Sequence, residues 1–178
     1  KWAAAHPGLF GNPEPPADAT RVRLNTDKGA ITILLYPNLA PKHVENFLKL
    51  CREGYYNGTK FHALRRGSWI RAGDPNSKEA DTATWGEGGP GYGLDAEAND
   101  LRHFSGYLSM WKQPGDTQSS GSQFVITTGA MHALDGQQVV FGKVVEGVDT
   151  TTKIESSTVT AGTERPEDPS TIQSVDVL

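Results

Sequence analysis

The chain has 178 residues, a formal net charge of −4, 36% hydrophobic and 21% charged residues, which suits one soluble domain with a full apolar core. Acids and bases are interspersed, so no concentrated positive surface is available to displace counterions from nucleic acid, and the apolar runs are far too short to span a bilayer. Cys51 is the only cysteine, which excludes an internal disulfide and a Cys-rich zinc site. The first residue is Lys1 and no signal-peptide pattern follows it. A fragment would begin this way, and so would a periplasmic or organellar chain after removal of a leader. The sequence leaves the compartment open.

Residues 1–20 read as an N-terminal extension, because Pro7, Gly8, Gly11, Pro13, Pro15 and Pro16 deny it regular structure. Trp2, Leu9 and Phe10 give it apolar anchors. It is expected either to be a loosely held tether or to dock on a surface. From Arg21 the pattern changes. Val22, Leu24 and Thr26 alternate with polar residues, Asp27-Lys28-Gly29 makes a turn, and Ala30–Tyr36 returns, so residues 21–36 read as a β-hairpin. Pro41 opens a helix in which Val44, Phe47, Leu48 and Cys51 form one apolar face, and Gly54 suits its exit. Cys51 on that face reads as a core thiol rather than a nucleophile.

Residues 61–73 read as strands broken at Gly67, and residues 74–99 as a long glycine-rich loop. Gly86-Glu87-Gly88-Gly89-Pro90-Gly91 is not a phosphate loop, since it lacks the Gly-Lys-Ser/Thr ending and a following helix. Further strands are expected at 106–110, 123–128, 139–144 and 172–178, with a second short helix at 148–154. Many strands with two short helices predict an antiparallel β-barrel with helical plugs. The histidines show no metal-ligand spacing, and Gly-Ser-Gln around Ser122 is not a nucleophile elbow.

Several segments, in one order, resemble the cyclophilin family. They include Ala40-Pro41-Lys42-His43-Val44-Glu45-Asn46-Phe47, Gly54-Tyr55-Tyr56-Asn57-Gly58-Thr59-Lys60-Phe61-His62, Ala72-Gly73-Asp74-Pro75 and Gly88-Gly89-Pro90-Gly91-Tyr92. Gly106-Tyr107-Leu108-Ser109-Met110, Gly121-Ser122-Gln123-Phe124, Leu134-Asp135-Gly136 and Val140–Gly147 follow. The resemblance implies a mainly β fold over residues 21–178: a closed eight-stranded antiparallel β-barrel capped by two α-helices. It also implies a groove for a proline-containing polypeptide and cis–trans isomerisation of X–Pro bonds in protein folding, with no cofactor and no metal.

Carried over residue by residue, the pattern departs at the groove. The family's catalytic arginine, directly after Phe-His, falls on Ala63. Its pocket Phe and Met fall on Ser68 and Trp69, and its first glutamine on Arg71. Gln123 and Leu134 are kept. Its second pocket Phe falls on Val125, its rim Trp on Ala133 and its rim His on Gln138. Trp111-Lys112 follows the Met110 strand. The expected catalytic residues are therefore Arg71 and Gln123. The expected substrate-binding residues are Trp69, Trp111, Lys112, Val125, Leu134 and Gln138. Arg65, with the strand parity of Ala63, is a second candidate cation. Trp69 either anchors a partner or fills the volume vacated at Ser68 and Val125, and His62 is expected to be a satisfied structural histidine. Two functions stay open: an isomerase of reduced activity, and a non-catalytic binding or scaffold subunit of a larger assembly.

Overall fold

The alternation at Val22 and Leu24 builds a half-buried strand in the computed structural model, which describes residues 10–178. Strand β1 (Arg21–Thr26) buries Val22, Leu24 and Thr26 and turns Arg21 to solvent, and β2 (Gly29–Leu35) folds back on it across a two-residue turn. Helix α1 (Pro41–Arg52) follows, with the predicted apolar face buried. Its N-cap, Ala40, offers no side-chain acceptor. Glu97, from the glycine-rich loop, accepts instead from the backbone N–H groups of Lys42 (2.9 Å) and His43 (2.8 Å). A carboxylate there satisfies unpaired donors and complements the helix dipole.

The remaining strands are β3 (Ala63–Arg65), β4 (Trp69–Ala72), β5 (Gly93–Leu94), β6 (Tyr107–Met110), β7 (Ser119–Ser120), β8 (Phe124–Thr127), β9 (Val140–Glu146) and β10 (Ile172–Val177). Helix α2 (Val148–Glu155) precedes the last of them and buries Ile154. Eight strands form one antiparallel sheet in the order β10-β1-β2-β9-β6-β8-β4-β3, and β5 pairs β7 in a separate ribbon. Inside, Phe47 of α1 meets Tyr56, Phe124 and Phe141 at centroid distances of 5.2–5.6 Å. Cys51 lies in the same core, and burial pushes its thiol up to about 12, the inert state expected of it.

The sheet curls into a half-barrel rather than closing by a continuous ladder. Its end strands β10 and β3 are not laddered to each other. A lone bridge between Lys60 and Thr171 spans the gap, with Phe61 N donating to Ser170 O (2.9 Å) and Leu64 N to Glu164 O (2.8 Å). Gly58 N donates to Ile172 O (2.7 Å) and Ile172 N to Thr59 O (2.8 Å), so the start of β10 is tied to the segment before β3, which is itself only three residues long.

The described part of the extension lies on this sheet. Asn12 and Arg102 exchange two hydrogen bonds of 2.8 Å, Tyr36 Oη donates to Pro13 O (2.8 Å), and Glu14 pairs with Lys143 (2.6 Å). Pro15 is buried and Leu35 N donates to Thr20 O. Phe10 is 63% exposed, and the anchors Trp2 and Leu9 lie outside the described residues. Among the described residues, no helix is long and apolar enough to cross a membrane.

Candidate functional site

The β3–β4 hairpin sets the groove. Ala63 pairs with Arg71 and Arg65 with Trp69, while β4 places Arg71 against Val125 of β8. Directly opposed residues share a face, so Ala63, Arg65, Trp69, Arg71 and Val125 all project the same way. Ala63, Trp69 and Val125 are buried and pack together, with Trp111 and Met131 against them. The Arg71 guanidinium lies 4.3 Å from the Trp111 ring centroid and 5.9 Å from that of Trp69, and the two indoles are 5.7 Å apart. This is cation–π geometry on two rings.

The two candidate cations differ in their partners. Arg65 binds Glu164 Oε1 through Nε (3.0 Å) and Nη2, and its guanidinium stands 5.7 Å from Trp69. Arg71 forms no salt bridge among the described residues, and its buried Nε has no hydrogen-bond partner. Burial lowers its pKa, opposed by the charges of Glu164 and Asp74, and a guanidinium stays charged under such a shift.

Beside Arg71 the glycine-rich loop passes at close range. Gly86 has φ +94°, and a side chain there would come within 3.3 Å of Arg71 Nη2 and 3.9 Å of His62 Nε2. Gln123 holds this loop, its amide nitrogen donating to Gly86 O and Gly88 O at 2.8 Å each. His62 is buried, with Nδ1 3.4 Å from Lys60 O, and its ring interacts with the Gln123 side-chain amide. Burial and then the Arg71 charge push its pKa down to about 4, so it is neutral at pH 7.

Two clefts adjoin at Trp111. One, of about 530 Å³, is lined by Trp69, Trp111, Lys112, Met131, Leu134 and Gln138 among others, with Arg65 and Glu164 at its side. The other, of about 470 Å³, is polar and includes Gly86, Glu87, Gly88, Asp116 and Gln123. Five of the expected substrate-binding residues thus line one cleft, and Gln123 lines its neighbour. Val125 lies beneath the first cleft's floor, fully buried under Trp69. Arg71 lines neither cleft, being stacked against Trp111. Gln138 is engaged internally, accepting from Ser109 Oγ (3.1 Å) and donating to Lys112 O (3.4 Å).

Sequence reasoning passed over Met131, Glu164 and the role of Asp135. The Asp135 carboxylate accepts from His103 N (2.7 Å) and contacts the His103 and His132 rings at 2.9 Å each. It thereby pins the turn carrying Ala133 and Leu134. The Leu134-Asp135-Gly136 motif was a signal for it, but nothing near Glu164 announces a partner for Arg65.

A curled antiparallel sheet with two helices, and a groove over the β3-β4-β8 face, define a cyclophilin-type domain. The family described as cyclophilin type peptidyl-prolyl cis-trans isomerase/CLD matches residues 21–177, and the chain belongs to it. Peptidyl-prolyl cis-trans isomerase-like 3 of Gallus gallus is 39% identical over 147 residues, covering 82% of this chain and 88% of that protein. Peptidyl-prolyl cis-trans isomerase-like 1 of Homo sapiens is 40% identical over 131 residues, covering 71% and 74%. A Cryptosporidium parvum cyclophilin type isomerase, crystallised in the presence of the dipeptide ala-pro, superposes with a TM-score of 0.80 at 31% identity, covering 89% of this chain and 98% of that one.

Proposed function

We propose that this chain is a peptidyl-prolyl cis-trans isomerase of the cyclophilin type with reduced turnover, in which Arg71 serves where the family's arginine has become Ala63. The observation that carries this reading is the pairing of Ala63 with Arg71, which keeps a guanidinium on the groove face one strand away from its usual place. The X–Pro bond resists rotation by about 18–20 kcal/mol of amide resonance. The cleft of Trp69, Met131 and Leu134 offers an apolar seat for the proline ring. As the amide twists, the prolyl nitrogen regains its lone pair, and an N–H donor aimed at it stabilises that state. Arg71 Nε, buried, unpartnered and outside the cleft's lining, supplies such a donor once Trp111 moves off the guanidinium. The indole of Trp111 against the guanidinium restricts its approach to substrate, hence the low turnover. In this reading the catalytic unit is residues 21–178, residues 1–20 are an appended segment, and the reaction uses no cofactor.

The same stacking favours a second reading, a non-catalytic domain that binds proline-containing segments within a larger assembly. A prolyl isomerisation assay on the purified protein separates the two. Measurable turnover that falls in Arg71→Ala supports the isomerase. Peptide binding with no turnover supports the binding module.

A further inference from the structure

The irregular stretch before β6 has no ladder of its own, and side chains from elsewhere hold its backbone. Leu101 is buried and its N–H donates to Asn99 Oδ1 (3.1 Å), while Asn99 Nδ2 donates to Val140 O (3.2 Å). His103 N donates to Asp135 Oδ1 (2.7 Å), the His103 ring meets the same oxygen at 2.9 Å, and Met131 N donates back to His103 O (2.7 Å). Between these points stands Arg102. Its N–H donates to Asn12 Oδ1 and its carbonyl accepts from Asn12 Nδ2, each at 2.8 Å, with a further bond from Phe104 N (3.0 Å). One asparagine side chain thus pairs both polar groups of a backbone unit, as its amide allows. Asn12 is anchored in turn. Pro13 O accepts from the fully buried Tyr36, and Glu14 pairs with Lys143 of β9.

The far side of the same stretch carries the proline cleft. Met131, Ala133 and Leu134 line that cleft, and Met131 packs against Ala63, Trp69 and Val125. Their turn hangs from residues 103 and 104, through Asp135, through Met131 N and through the Phe104 ring set edge-on to His132 at 5.0 Å. Asn12 lies outside residues 21–177, the part matched by the family, so this hold comes from the N-terminal segment and not from the family's domain. We propose that Asn12 is a positioning residue for the proline cleft: by holding Arg102 it fixes His103 against Asp135 and Met131, and so sets the wall on which the proline ring seats. Placement matters at this scale, since an error of about 1 Å in a positioning group can cost about 10²-fold in rate. A partner that draws residues 12–14 off the barrel would loosen the wall, so the segment is a brace through which affinity for proline-containing peptides can be lowered. The inference rests on that cleft binding proline and adds the residue that sets its shape.

The chain has two methionines, Met131 in the cleft wall and Met110 fully buried in the main core. Methyl NMR of the full chain labelled at methionine therefore reads wall and core separately. In Asn12→Ala the Met131 signal is expected to move while Met110 stays. An Ala-Pro-containing peptide is expected to bind about three- to tenfold more weakly in a calorimetric titration, the size of effect that coupling through contacts gives. In an Asp135→Ala background Asn12→Ala should add little, whereas independent sites would add in full. Full additivity would overturn the route through Asp135, and the Met131 signal decides the matter if Asp135→Ala does not fold. A lower Tm with Met131 and peptide affinity both unchanged would make Asn12 a stabilising contact only and overturn the proposal, as would a change in just one of the two. If the peptide does not bind the unmodified chain, the proline-binding reading falls, and the Met131 signal in Asn12→Ala alone decides whether the brace reaches the cleft wall.

Discussion

Ala63 and Arg71 stand opposite one another in the β3–β4 ladder, with Val125 on the far side of Arg71. In the proposed function, this pairing puts the arginine that stands in for the family's on the strand adjacent to Ala63. Losing one preorganised donor costs about 10²–10³ in rate. With Arg71 recovering part of that, the double swap Ala63→Arg/Arg71→Gln is expected to raise turnover by about 10–10²-fold. Arg71→Ala is expected to remove most of what the unmodified chain has. A swap that leaves turnover unchanged in a protease-coupled isomerisation assay, with normal folding by circular dichroism, defeats this account.

The buried imidazole beside Arg71 gives a pH dependence with a definite sign. His62 titrates near 4 in the folded chain, against about 6.5 when unfolded. Between those values the unfolded chain takes up a proton that the folded chain refuses. Stability from this group is therefore complete above about pH 6.5 and is lost as pH falls toward 4, by up to about 3 kcal/mol. His43 and His103 are also lowered by burial, opposed by Glu97 and Asp135, so the His62 share must be isolated. The pH 7 to pH 5 drop in denaturant midpoint should be smaller in His62→Gln. In Arg71→Gln the His62 midpoint, followed by NMR, should move up, because a repelling charge has gone. A midpoint unmoved by that change would show that the two side chains are not coupled.

These two relationships mark where sequence reading stopped. The hairpin, α1 at 41–52 and strands β6, β8 and β9 were legible because each carries its own periodicity or punctuation. The family motifs then pointed to residues of which Trp69, Trp111, Lys112, Leu134 and Gln138 line one cleft. Pairings between distant loops were not legible. Glu164 against Arg65, Asp135 against two histidines, and Gln123 spent on the Gly86–Gly88 loop depend on chain returns that no local pattern encodes. The two-residue β5–β7 ribbon is too short to show alternation. The sheet was legible as a curled antiparallel one, but its closure was not, because the segment joining β3 to β10 makes scattered bonds rather than a regular ladder.

The extension offers a stability test. The Tyr36 ring is fully buried and its hydroxyl donates to Pro13 O. Tyr36→Phe removes that bond and leaves a carbonyl free to meet water, a loss of about 0.5–1.5 kcal/mol. Deleting residues 1–20 also removes the Asn12–Arg102 exchange, the Glu14–Lys143 ion pair and the buried Pro15. The expected cost is about 1–2 kcal/mol, or about 2–8 °C in Tm for a chain of this size. An unchanged Tm would mean these contacts add nothing net. If association with a partner is lost while the fold survives, the extension is an assembly element, and the scaffold reading gains.

Ligand recognition gives the last prediction. The cyclic peptide inhibitors of this family use an indole N–H at the rim and an apolar aromatic floor, and this groove offers neither in the usual form. Ala133 stands at the rim and has no donor. Val125 is fully buried, and Trp69, itself only 3% exposed, occupies the floor above it. One hydrogen bond lost is worth about 0.5–1.5 kcal/mol, and lost aromatic packing adds about 0.5–1.5 kcal/mol. Together they weaken a cyclosporin-like ligand by about 5–150-fold, before any clash with Trp69 or Trp111 is counted. Ala133→Trp should restore the hydrogen-bond share, about threefold to tenfold, and adding Trp69→Met should restore more by reopening the floor. Nanomolar binding to the unmodified chain in a calorimetric titration would show that these residues do not face the ligand as the pairing of β3, β4 and β8 requires.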